Sequence, residues 1–175
     1  MKETRRLIGL DPGLRSTGWG LIEVNGNRLR HINSGSISST ATLQVSKRLQ
    51  QIHEGLTKVI ESYAPDEAAV EETFVNKNPS STLKLGLARG IALVVPALFG
   101  ISVAEYSANK VKKSVVGAGH ASKEQMELMV KNILPGCDPE NSDATDALAI
   151  AICHAHFSVT SHKWNQKNYS SGDKL

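Results

Sequence analysis

The sequence predicts one α/β domain: a mixed five-stranded sheet, three antiparallel strands then parallel strands, flanked by helices. Three observations lead there. Residues 7–37 hold three apolar runs separated by turn signals, which reads as an antiparallel meander. Residues 45–106 alternate helical and strand periodicity, as parallel strands joined by crossovers require. A chain of 175 residues can bury one sizeable core and leaves no comfortable room for a second.

Leu7, Ile8 and Leu10 form the first strand, which stops at the turn signal Asp11-Pro12-Gly13 and leaves Asp11 at a strand end. Trp19, Leu21, Ile22 and Val24 form the second. Asn25-Gly26-Asn27 turns the chain, and residues 29–37 return as the third. Val45, Leu49, Ile52, Leu56, Val59, Ile60 and Tyr63 follow the spacing of one buried helical face. Residues 68–70 make a short strand ending at Glu71 and Glu72. Asn78-Pro79 opens a helix whose buried side is expected from Leu83, Leu87, Ile91, Val94 and Leu98, with Pro96 kinking or ending it.

Residues 102–106 give the fifth strand, and no helix is read between it and residue 122. Ser122 and Gln125 form a capping box ahead of the stripe Met126, Met129, Val130 and Ile133, which Pro135-Gly136 stops. A last helix starts at Ser142 as N-cap and runs to about 157. The domain therefore spans 1–157, and the polar, aperiodic stretch 158–175 is expected to be a disordered tail.

The net charge of +3, from 20 basic and 17 acidic residues, is too small to point to nucleic acid by itself. No apolar run is read as a membrane span, and no signal peptide opens the chain. Cys137 and Cys153 lack a metal-binding spacing and read as free thiols in a reducing cytoplasm.

The stretch 142–152, S-D-A-T-D-A-L-A-I-A-I, poses the chemical question. Asp143 suits the first turn of a helix, where acidic groups meet the positive dipole end. Asp146 borders the apolar run and shares a face with Asp143, the two side chains being only about 60° apart. Carboxylates that close repel unless a cation or proton lies between them. Asp11 and Glu71 end adjacent strands, at the sheet edge where ligand sites form. If the last helix packs on that edge, all four converge. Each also has an ordinary reading: a turn residue for Asp11, a solvated loop for Glu71, a dipole partner for Asp143. Asp146 is hardest to explain that way. Clustered carboxylates without Cys or His ligands suit magnesium or manganese, and a pair of such ions suits phosphodiester hydrolysis.

At this point the chain resembles the RuvC family of Holliday-junction resolvases, within the RNase H-like superfamily. The matching stretches are IGLDPGLRSTGWG at 8–20, VEETFVNKNPSSTLKLGLARG at 70–90, VKKSVVGAGHASKEQM at 111–126 and DATDALAIAICH at 143–154. The resemblance implies that Asp11, Glu71, Asp143 and Asp146 are the catalytic, metal-binding set, holding two magnesium ions for which manganese can substitute. It implies a homodimer that resolves four-way junctions by paired symmetric nicks, leaving 5′-phosphate and 3′-hydroxyl ends, in recombination and repair. A branch-migration helicase complex is the expected partner. Pro96 and His120 depart from the family pattern, away from the acidic set.

Phe74 leads into the polar loop Val75-Asn76-Lys77-Asn78. A ring there can stack on an unpaired base, though an apolar strand-end residue is ordinarily core; the family resemblance favours stacking. Lys77 and Arg89 are candidate phosphate contacts. Lys110, Lys112 and Lys113 form a basic cluster, and Lys123 begins the next helix. Of these, the resemblance implicates Lys112 and Lys123 in DNA binding. His154 and His156, two apart, do not share a helical face, so a zinc reading is set aside and His154 is read as packed or at the site rim.

Three rivals remain. The first motif also resembles the phosphate loop of sugar kinases and actin-like ATPases, but that clamp needs two such lobes. An RNA-processing nuclease of the same superfamily is disfavoured by the 74–90 segment, and a non-catalytic junction-binding module by the four acidic positions.

Overall fold

The computed structural model describes residues 4–72 and 78–169, with side chains through Ser158. In chain order the elements are β1 (Arg5–Asp11), β2 (Ser16–Asn25), β3 (Arg28–Ser38), α1 (Val45–Tyr63), β4 (Glu67–Glu71), α2 (Pro79–Leu98), β5 (Ser102–Tyr106), α3 (Ala108–Val116), α4 (Lys123–Ile133) and α5 (Ser142–Tyr169). The sheet order is β3-β2-β1-β4-β5. β1, β2 and β3 pair antiparallel, whereas β4 pairs parallel with both β1 and β5, as the sequence predicts.

Strand alternation sorts residues between two cores. On one face Ile8, Leu10, Ala68 and Val70 pack with Ile52, Leu56 and Ile60 of α1 and Ala88, Ala92 and Val95 of α2. On the other, Leu7 and Ala69 pack with Val111, Val130 and the run from Leu148 to Ala155. Asp11 lies two and four residues beyond Gly9 and Leu7, so it shares the face that carries α5. Glu67 and Glu71 flank Ala69 at the same period and share it too.

β1 and β2 meet α5 at unusual closeness. A Cβ on Gly9 would fall 2.1 Å from the Ala147 carbonyl oxygen, and one on Gly18 would fall 2.1 Å from that of Asp143. Only glycine fits at those positions. Gly18 pairs with Asp11 in the β1–β2 register, so the contact that admits the helix also seats Asp143 beside Asp11.

Several expectations need correction. Of the five residues expected on the buried side of α2, only Ile91 packs against the core. Leu83, Leu87, Val94 and Leu98 are 71%, 48%, 44% and 70% exposed, while Ala88, Ala92, Val95 and Pro96 are buried. Small side chains let α2 lie close on α1, β4 and β5, which turns the larger ones outward. α2 is also long and apolar enough, by length and composition, to cross a membrane, its mean hydropathy reaching 1.4. Leucines, valines and an isoleucine raise that mean around Lys84 and Arg89, and one side of the helix belongs to the fold.

α3 was not foreseen, although its signals are present: Ser107 caps it, Val111 and Val115 are buried one turn apart, and Gly117 ends it in the left-handed region at φ 85°. The cap of α5 is Asn141 rather than Ser142, its Oδ1 accepting from the Ala144 N–H at 2.9 Å. α5 also continues to Tyr169, beyond the apolar run, through a stretch with neither glycine nor proline to interrupt it.

Candidate active site

Asp11 ends β1, Glu71 ends β4, and Asp143 and Asp146 occupy the first turns of α5. All four are partly exposed, at one sheet edge. Their electrostatics show that they are gathered. The Asp11 carboxyl is pushed up to about 8, first by burial and then by the charges of Glu71, Asp146 and Asp143. Burial and then the charge of Asp146 raise Glu71. Asp146 is raised by burial, with Asp143 adding to the effect and Lys123 and Lys112 opposing it. With its carboxyl at about 8, Asp11 carries a proton at neutral pH, and its contact with Glu71 raises the first group and lowers the second.

A cavity of about 230 Å³ opens beside this cluster, lined on its polar side by Glu71, Asp146, Lys112 and Lys123. Lys112 projects from α3 and Lys123 from the first turn of α4. Their ammonium groups favour the charged forms of Glu71 and Asp146 from across the cavity. Among the described residues neither lysine closes an ion pair with the four carboxylates.

The donor set suits a hard divalent cation: oxygen ligands only, half-buried, mutually repelling, and already carrying a proton where a cation would compete. As placed, the side chains do not form a finished cage. No group of three or more His, Cys, Asp or Glu among the described residues is positioned to hold an ion.

The other sequence-predicted residues divide. Lys112 and Lys123 join the site. Arg89 is engaged elsewhere, paired with Glu105 of β5 on the sheet face that carries α2. Phe74 and Lys77 lie outside the described residues. Sequence reasoning missed the glycine floor beneath α5, although Gly9, Gly18 and Gly20 stand on alternating strand positions where a helix could approach. His154 is packed, as one of its two readings held.

A family model described as crossover junction endodeoxyribonuclease RuvC matches residues 7–154. The chain belongs to the RuvC family. It is 59% identical to the crossover junction endodeoxyribonuclease RuvC of Brucella anthropi over 89% of this chain and 91% of that one. Identity to the same enzyme of Paramagnetospirillum magneticum is 58%, covering 90% and 95%. Among solved structures, Thermus thermophilus RuvC in complex with a Holliday junction substrate superposes with a TM-score of 0.83 at 31% identity, covering 90% of this chain and 96% of that one. The yeast mitochondrial Holliday junction resolvase shares the fold, with a TM-score of 0.65 at 12% identity over 93% and 84%. The fold is thus RNase H-like, and the family is one of DNA-cleaving hydrolases.

Proposed function

We propose that this chain resolves four-way DNA junctions by divalent-metal-dependent phosphodiester hydrolysis, with Asp11, Glu71, Asp143 and Asp146 as the metal-binding set. The observation that carries the reading is the meeting of two strand ends and the first turns of α5 at one sheet edge, which gathers four carboxylates beside a cavity faced by two lysines, in a chain of the RuvC family. The four carboxylates would hold a pair of magnesium ions, or manganese in their place, which would supply an activated water and charge stabilisation at the departing 3′-oxygen. β1, β4 and α5 hold the four carboxylates in place before substrate arrives, so little reorganisation is left to the reaction. Asp11 gives up its proton as a cation enters. Lys112 and Lys123 grip backbone phosphates at the cavity and draw the scissile group toward the carboxylates. Phe74 stacks on an unpaired base near the crossover and Lys77 meets a phosphate beside it. Arg89 contributes last, because Glu105 must first release it.

Two symmetric nicks, leaving 5′-phosphate and 3′-hydroxyl ends, need two equivalent sites and hence a two-fold homodimer. The outward stripe of α2 fits that role. Leu83, Leu87, Val94 and Leu98 fall within about 60° of helical arc and are exposed together. The cytoplasm, where junction DNA and a branch-migration helicase complex are met, also keeps the buried free thiols Cys137 and Cys153 reduced.

The deciding experiment compares a synthetic four-way junction with a linear duplex of the same sequence, with and without magnesium. Paired nicks in the junction alone, and only with metal, support the reading. Equal cutting of linear duplex, or cutting in chelator, contradicts it.

A further inference from the structure

The site carboxylates occupy one end of the contact between β4 and α5. The other end holds a second polar cluster that the proposed chemistry does not use. His154 is buried, its Nε2 2.9 Å from Glu67 Oε2 and its Nδ1 2.9 Å from the Tyr106 hydroxyl. The Nε2 contact is close but not well aligned as a hydrogen bond. Arg5 of β1 pairs with the other Glu67 oxygen, and its second amino group reaches Ser158 Oγ at 3.4 Å. Lys110 of α3 lies 4.9 Å from the Tyr106 ring centroid and 4.1 Å from that of Phe157. One cluster, buried at His154 and Tyr106 and open to solvent at Lys110 and Phe157, thus ties together β1, β4, β5, α3 and α5.

Its position relative to the site is the informative part. Glu67 and Glu71 stand four residues apart on one face of β4, a span of about 13 Å at about 3.3 Å per residue. Asp146 and His154 stand eight residues apart on α5, a span of about 12 Å at about 1.5 Å per residue. Glu67 meets His154, and Glu71 feels Asp146, so helix and strand run in opposite directions with both ends matched. A slip of one residue along α5 would turn each side chain by about 100° and break both ends at once.

We propose that Glu67 and His154, braced by Tyr106 and Arg5, are positioning residues that fix the register of α5 on β4 and thereby hold Asp146 opposite Glu71. This rests on the reading of the four carboxylates as the metal-binding set. The glycine floor seats the first turns of α5 on β1 and β2, whereas the apolar contacts further along the helix favour burial with little directional demand. The Arg5–Glu67 and Tyr106–His154 hydrogen bonds that brace this contact are directional. Because Lys110 packs on the same rings, the cluster also steadies α3, which carries Lys112 into the cavity.

The test uses the full chain and three variants, His154→Ala, His154→Gln and Glu67→Gln, with Ile60→Val of α1 as a mildly destabilised control on the opposite sheet face. Four quantities are measured: junction affinity in chelator, junction nicking rate, the magnesium concentration for half-maximal nicking, and manganese binding without DNA by electron paramagnetic resonance. His154→Ala is expected to keep its junction affinity while nicking and manganese affinity each fall about 10–100-fold and the magnesium requirement rises. Glu67→Gln, which preserves shape, moves the same way by less. His154→Gln, whose amide reaches both neighbours, recovers most of the loss. Unchanged manganese binding and magnesium requirement in both His154→Ala and Glu67→Gln would overturn the proposal. So would losses no greater than those of Ile60→Val. Asp146→Asn, run in parallel, separates the two claims. If it still cuts, the carboxylate assignment itself fails; if it is inactive while His154→Ala matches the parent, only the register anchor fails.

Discussion

Glu67 and Glu71 lie on the same face of the same strand, yet their carboxyls are driven in opposite directions. Glu67 is held at about 2, chiefly by its close contact with His154 and then, against burial, by Arg5. Glu71 is raised, by burial and by the charge of Asp146, with Lys112 opposing only from across the cavity. One end of β4 is a carboxylate whose charge the protein neutralises itself. The other is a group of carboxylates left for something else to neutralise. Unpaired, repelling charge is expensive to maintain in a fold, so the second arrangement marks a ligand site and the first a structural joint.

The largest effects test the uncompensated end. Asp146→Asn is expected to lower junction nicking on the order of 10³-fold, the loss of one preorganised electrostatic partner, while junction binding in chelator holds or tightens as repulsion toward phosphate falls. Nicking and binding lost together would instead make Asp146 a folding residue. Gly18→Ala follows. Its Cβ would enter the space of the Asp143 carbonyl, so α5 must lift; a stability loss of about 1–3 kcal/mol by denaturant titration is expected, with nicking reduced more than binding.

Acid–base behaviour sharpens the contrast between the ends. Without metal, the folded chain keeps a proton on Asp11 up to about 8, whereas the unfolded chain releases it near 3.8. The folded state binds more protons across that window, so this group makes stability fall as pH rises through it. Glu67 has the opposite sign: its contribution is full above 4.5 and is lost as pH falls toward about 2. Melting curves should show Asp11→Asn flattening the decline between 3.8 and about 8, and Glu67→Gln weakening the acid-side loss. A single change that removes both would mean the two ends titrate as one cluster. The smallest effect belongs to the lysines. Lys112→Ala or Lys123→Ala should each flatten the dependence of junction affinity on log salt by about one unit.

Much of this was legible in the sequence because it is written in local signals. The Asn25-Gly26-Asn27 turn, the Asn78-Pro79 start and the Ser122/Gln125 box each mark a boundary that the structure keeps. The four carboxylates were legible because their positions at strand ends and in a first helical turn require only that sheet and helix meet. Contacts between distant elements were not legible. The burial of Ala88 and Ala92 in place of Leu83 and Leu87 depends on how closely α2 approaches its neighbours, which periodicity does not encode. The same holds for the pairing of Glu67 with His154, residues 87 apart whose meeting depends on the register between a strand and a helix.

The central claim is that the charge at the β1–β4–α5 edge is left for a metal cation to neutralise. Calorimetric titration of the full chain with magnesium at pH 7, in two buffers of different ionisation enthalpy, tests it most directly. Binding should release about one proton per site from the parent and none from Asp11→Asn, because the cation takes the place of the proton Asp11 holds. Binding without proton release in the parent, or equal release from the variant, would contradict it.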